Sequence, residues 1–234
     1  MKKINFLLII LIGLMIVGCG GAQYRVKVNS IGKSLPQQNT YVLFAGNKDG
    51  DINSLEFKEY AKYVNTALKE KGFIETNFEK ASIAIFLSYG IGEPKESAYS
   101  YSMPTYGQTG YSSSRTTGTF NSYGNNTSYS GTTTYTPTYG VNGSQTYLGT
   151  RVSYFRYAIL DASDLNEYKK SKKQIQLWKT TITSTGSSGD LRQVFPVLIG
   201  ASKKYIGNNT GKKITVNISE NDKRVLIIKG MEKN

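Results

Sequence analysis

The chain contains no histidine among its 234 residues. That absence removes the commonest general base, the commonest metal ligand and the usual partner of a nucleophilic serine. Cysteine occurs once, at Cys19, which excludes an intramolecular disulfide and a structural zinc site built on thiolates. Acidic residues are scarce: 16 Asp and Glu stand against 29 Lys and Arg, a formal charge of +13. Catalysis would have to rest on carboxylates, lysine or tyrosine, and the expectation is a protein that is not an enzyme and carries no metal or cofactor.

A long hydrophobic run is missing too. The apolar stretch Ile4 to Val17, broken by Asn5 and Gly13, falls short of the roughly 20 residues that a spanning helix needs. It follows Lys2 and Lys3 and ends in Ile16-Val17-Gly18-Cys19, so it reads as an export signal with a small-residue exit. The exit resembles the lipobox of bacterial lipoproteins. On this reading residues 1–18 are removed, with cleavage between Gly18 and Cys19. Cys19 then carries a diacylglycerol and an N-acyl chain (palmitate or a similar acid), and 19–23 form a short lipidated tether. Each buried methylene contributes about 0.8 kcal/mol, so two or three chains hold stably. Gly20, in place of aspartate, favours the outer over the inner membrane.

The mature chain of about 215 residues suits one domain, here 24–234, with an insertion. Loss of Lys2 and Lys3 leaves a net +11. In an exported protein nucleic acid is not the expected partner. A solvated basic surface and a face for anionic lipid, cell-wall glycan or a small ligand both remain open. Lys169, Lys170, Lys172 and Lys173, with Lys203 and Lys204, are the residues such a face would use.

Tyr24 to Ile31 alternates as a half-buried strand, and Thr40 to Ala45 is a compact apolar run. Phe57, Tyr60, Ala61, Val64, Ala67 and Leu68 recur at helical spacing, predicting a helix over about 54–71. Asn53 and Glu56 resemble a capping box, and Gly72 supplies the stop. Ala81 to Tyr89, 152–160 and 174–184 read as strands, with an exposed loop around Lys169 to Lys173. Asp190 caps a second helix to about Ile206, in which Pro196 should kink or delay the regular part. Residues 213–218 and 224–229 read as a closing hairpin.

Residues 97–150 are different material. They contain no Asp, Glu or Lys, one Arg (Arg115) and half of the chain's 18 tyrosines. Pro-Thr-Tyr-Gly occurs at 104–107 and again at 137–140. Disorder is one reading of such composition. An extended β-hairpin arm is the other, with Asn142-Gly143 suited to a turn and a looser tip around Gly118 to Gly131. Tyr99, Tyr101, Tyr106, Tyr111, Tyr135 and Tyr139 would form its interaction surface, for another envelope protein or a second copy. The expected fold class is α+β: a mostly antiparallel sheet, two packing helices and a long Tyr/Thr/Gly-rich β-hairpin insertion.

Smaller constellations point to little chemistry. Asp49, Asp51 and Asn53 alternate as in a calcium loop, but Ser54 stands where glycine is required and Tyr60 where glutamate is. Asp161 and Asp164 suit turns. Asn209-Thr-Gly-Lys-Lys213 lacks the upstream glycine of a phosphate loop.

The segments TYVLFAGNKD (40–49), LEFKEYAKYVNTALKEKGF (55–73), IAIFLSYGIGEP (83–94), YGQTGYSSS (106–114), TYTPTYGVNGSQT (134–146), ILDASDL (159–165) and DLRQVFPVLIGASKKYIGNNTGKK (190–213) together resemble bacterial lipoproteins of the domain-of-unknown-function 4136 family. That resemblance spans nearly all of the mature chain. It implies a lipoprotein with an α+β domain, and no catalytic residues.

Overall fold

A computed structural model of the chain describes residues 22–32 and 39–232. The fold is α+β, with one open sheet and, among the described residues, four α-helices. Two compact units are distinct: one runs to Lys95 and resumes at Val152, and the other is Glu96–Arg151.

The larger unit starts with β1 (Gln23–Gly32), β2 (Thr40–Ala45), α1 (Leu55–Glu70), the two-residue β3 (Ile74–Glu75) and β4 (Ile83–Ile91). Strand β4 runs parallel to β2, a pairing that requires a crossover, and α1 provides it. The chain next enters β5 (Lys95–Tyr123) and returns on β6 (Asn126–Asp164). It continues through α2 (Leu165–Ser171), β7 (Gln176–Gly186), α3 (Leu191–Ser202), a 3-10 turn, β8 (Ile214–Ser219) and α4 (Lys223–Lys229). Strand order is β3-β2-β4-β6-β7-β1-β8. Pairings of β4 with β6, β6 with β7, β7 with β1 and β1 with β8 are antiparallel.

One face of this sheet carries the main core. Val26 and Val28, Ile83, Ile85 and Leu87, Ala158 and Leu160, and Trp178 and Ile182 meet α1, α3 and α4 there. Helix α3 is apolar all round and buried from Val194 to Ser202, so it forms the centre of the helical layer. It reaches α4 closely at Gly200, where a β-carbon would lie 3.1 Å from Val225 Cγ2. A smaller apolar group, with Ala81, Ala84 and Leu165 flanked by Val42, Phe44 and Phe86, covers the opposite face near α2.

Several expectations need correction. Residues 224–229 are α4, not the second strand of a hairpin: Asp222 accepts from Arg224 N and Gly230, at φ +75°, ends the helix. The Lys169–Lys173 loop is largely α2, capped by Asp164 through Glu167 N. Two packing helices become four among the described residues. The α1 cap is Ser54, accepting from Phe57 N at 3.1 Å, one residue beyond the Asn53 box. Helix α3 passes through Pro196 without interruption. Proline's missing N–H would have served Arg192, in the exposed first turn where water can replace it.

Within the second unit, β5 and β6 pair only with each other. Their turn is Gly124-Asn125, not Asn142-Gly143, which lies inside β6. Gly124 has φ +62°, which suits the left-handed first position of a tight hairpin turn. Residues 118–123 and 126–131, expected to be loose, belong to the strands.

Candidate functional site

The Glu96–Arg151 ribbon contains no buried residue. Its order comes from the β5–β6 ladder and from side-chain pairs across it. Tyr111 meets Tyr135 with ring centroids 5.0 Å apart, Tyr101 stacks on Tyr147 at 5.7 Å, and Phe120 lies 4.7 Å from Tyr129. Hydroxyl pairs interleave with the rings: Thr116 with Thr133 at 2.8 Å and Ser122 with Thr127 at 2.9 Å. Such pairs each contribute roughly 0.2–1 kcal/mol. Several glycines make room for rings, as where Tyr99 lies over Gly149 and Tyr129 over Gly131.

The predicted tyrosines therefore divide. Tyr99, Tyr101, Tyr111 and Tyr135 are engaged within the ribbon, and Arg151 sits over the Tyr99 ring at 5.4 Å. Tyr106 and Tyr139 are 77% and 74% exposed and have no ring partner among the described residues. They are the two free rings of the six. Phe120, Tyr129 and Tyr147 also pair across the ribbon, and Phe120 and Tyr129 fall within the 118–131 segment expected to be loose.

The six lysines form no single face. Lys169 donates to the carbonyls of Glu79 (3.0 Å) and Ala81 (2.9 Å) and lies 5.2 Å from the Phe78 ring centre. It belongs to the α2 side of the sheet. Lys203 pairs with Glu70 of α1 on the opposite side, and Lys204 lies over Tyr205. Lys172, at φ +60°, ends α2 and covers Tyr168, and Lys170 and Lys173 are exposed.

The carboxylates considered above act separately. Asp161 accepts from Gln176 Nε2 at 2.7 Å and faces Lys179, whereas Asp164 caps α2. Asp51 accepts from Asn53 N. Among the described residues no cluster of three or more His, Cys, Asp or Glu could hold a metal. Gly18 and Cys19, expected from the sequence to be the cleavage and lipidation residues, lie outside the described residues.

Several concavities mark the larger unit's flanks among the described residues. A groove of about 770 Å³ runs between α1 and the β2–β3 edge, past Lys58, Lys62 and Lys69. Another of about 930 Å³ lies around the Asp49–Asp51 turn. A smaller pocket of about 310 Å³ is lined by Ala22, Tyr24, Arg156 and the Thr185–Ser188 segment. Sequence reasoning missed Arg156. Its one signal was a charge at an inward position of an alternating strand, in register with Ala158 and Leu160.

No family model and no curated protein matches the chain. Among solved structures, a PDZ domain protein from Parabacteroides distasonis is similar at 11% identity and a TM-score of 0.40. That match covers 88% of this chain and 41% of the other, so the chain spans less than half of that protein's length. A lysenin pore is matched at 9% identity and a TM-score of 0.13, over 85% of this chain and 50% of the other. Among the described residues no helix is long and apolar enough to cross a membrane.

Proposed function

We propose that the chain is a lipid-anchored lipoprotein of the bacterial envelope, of the domain-of-unknown-function 4136 type, held at the outer membrane through Cys19. Its role is structural, through interaction and without catalysis. The observation that carries this reading is the ribbon: residues 96–151 bury nothing, carry almost no charge and leave both outer strand edges unpaired among the described residues. Open edges with small and aromatic side chains suit β-strand addition by another envelope protein or by a second copy. Tyr106 and Tyr139 supply the exposed rings, each with an apolar face and a hydroxyl.

A binding module for glycan, anionic lipid or a small ligand is the second reading. The excess of positive charge supports it. Division of the lysines between two sides of the sheet weighs against one broad basic face.

Two experiments test the proposal. Tagged full-length protein and Cys19→Ser are compared by separation of inner from outer membranes. Wild type in the outer membrane, with the variant unprocessed or redistributed, is the expected result. Identical processing and fractionation would reject the anchor. Cross-linking in cells then compares wild type with a 97–150 deletion, which should lose a specific cross-linked species while remaining folded.

A further inference from the structure

Arg156 is 1% exposed and lies on the core face of β6, beside the start of α3. Its Nη1 donates to the Ser188 carbonyl at 2.8 Å and its Nη2 to Ser184 Oγ at 3.0 Å. Nε is buried and donates to nothing. No carboxylate pairs with it among the described residues, whose ion pairs involve Lys179, Arg192, Lys203 and Arg224. Burial pulls its pKa below the ordinary value, and the Tyr24 phenol is the one ionisable neighbour opposing that shift. Arginine nevertheless stays protonated in proteins, so this is a buried cation without a counter-charge. Such a charge is costly to retain unless something anionic joins it.

Its surroundings have the form of a receptor. The guanidinium occupies the place of a missing side chain: a β-carbon on Gly186 would lie 2.9 Å from Nη2. Gly186, Ser187 and Ser188 line the pocket of about 310 Å³ together with Arg156, Thr185 and Gln193. The hydroxyls of Thr185 and Ser187 are exposed and form no side-chain hydrogen bond among the described residues. Glu220 limits the charge that the rim tolerates, but its Oε2 already accepts from Tyr24 Oη (3.5 Å) and Gln193 Nε2 (3.3 Å). Asp190 is likewise occupied, accepting from Gln193 N.

Ala22 and Gln23 line the same pocket. Ala22 is three steps along the chain from Cys19, with Gly20 and Gly21 between them, and a chain extends at most about 3.6 Å per residue. Ala22, a lining residue, is thus at most roughly 11 Å of chain from the cysteine proposed to carry the anchor. We infer that the Arg156 pocket is an oxyanion site that takes a phosphate group, from a lipid headgroup beside the anchor or from a free phosphate. Guanidinium and hydroxyl donors match tetrahedral phosphate oxygens, and the low surrounding polarity strengthens each contact. Only the lipid source rests on the anchoring reading.

The test uses the full chain purified in a non-ionic detergent. It is titrated calorimetrically with inorganic phosphate and with glycerophosphoglycerol, the deacylated headgroup of phosphatidylglycerol. Saturable binding is expected, weakened at least about tenfold by Arg156→Met and by Gly186→Ala. Methionine replaces an unpaired buried charge with an apolar chain of similar length, so the variant should remain folded. Ser187→Ala, at the exposed mouth, provides a weaker effect in case it does not. Tighter binding of glycerophosphoglycerol assigns the site to lipid, and tighter binding of inorganic phosphate assigns it to a soluble donor. Absence of saturable binding of either, or wild-type affinity in Arg156→Met, overturns the site. Cys19→Ser, titrated alongside, should bind as wild type does. If the anchor fails by fractionation and phosphate still binds through Arg156, the pocket stands and its lipid source falls.

Discussion

The two units of this protein hold their shape by opposite means. In the larger unit Val194 to Ser202 are buried without exception, and three helices share one sheet face. In the Glu96–Arg151 ribbon nothing is buried, and order rests on backbone pairing and cross-strand contacts. A side chain removed from the first leaves a void that neighbours cannot close. One removed from the second leaves a gap that water fills. The sequence can therefore drift toward repetition in the ribbon, where the composition suits strand and little more is demanded, but not in the core.

The sharpest test of that difference is Phe195→Ala. Phe195 is fully buried and stacks on Tyr60 at 4.4 Å. Its truncation should lower stability by about 3–5 kcal/mol in urea unfolding. A loss as small as a surface change would break the comparison.

Next in size is Thr180→Val. Thr180 Oγ1 lies 2.7 Å from Ser30 Oγ and accepts from Gly207 N. The variant strands both partners in the core and should cost about 1–3 kcal/mol. Ser54→Ala removes the α1 cap and should cost about 1 kcal/mol, read from the same unfolding curves.

Within the ribbon, a double-mutant cycle on Tyr111→Ala and Tyr135→Ala should give a coupling of about 0.2–1 kcal/mol. Hydrogen exchange across β5 and β6 would report it. Movement of the core's urea midpoint would show that the two units are not energetically separate.

The smallest expected effect is electrostatic. Arg224 holds the Asp222 carboxyl below its ordinary pKa, chiefly by a side-chain hydrogen bond. The folded value being depressed, this contribution is complete above the ordinary carboxylate range. It is lost as pH falls through the depressed value. Between about pH 6 and about pH 2.5, wild type should therefore lose slightly more stability than Arg224→Met. Partial exposure of both groups keeps the difference small.

Much of the larger unit is legible in its residues. Alternation marks β1, and the spacing of Phe57, Tyr60, Val64 and Leu68 marks α1, because each buries a single face. Residues 224–229 mislead for a physical reason. Arg224 to Lys229 is a short run with four consecutive apolar residues, and periodicity cannot separate strand from helix at that length. The flanking Asp222 and Gly230 decide it. Helix α2 is hidden because seven mostly polar residues bury only Leu165. The ribbon's turn is hidden because Asn142-Gly143 is a strong local signal, whereas register along the whole ladder selects Gly124-Asn125. Arg156 was within reach: a charge in step with Ala158 and Leu160 asks for a partner.

The place of β1 has a mechanical consequence. The strand follows Ala22 directly and is hydrogen-bonded on both sides, to β7 across Val26–Gly32 and to β8 across Gln23–Val28. A tug on the preceding chain loads those bonds sideways and together rather than one after another. Pulled from its N-terminal end in a force microscope, the larger unit should rupture in one tall event, and a staircase of small ones would show that the strand peels away.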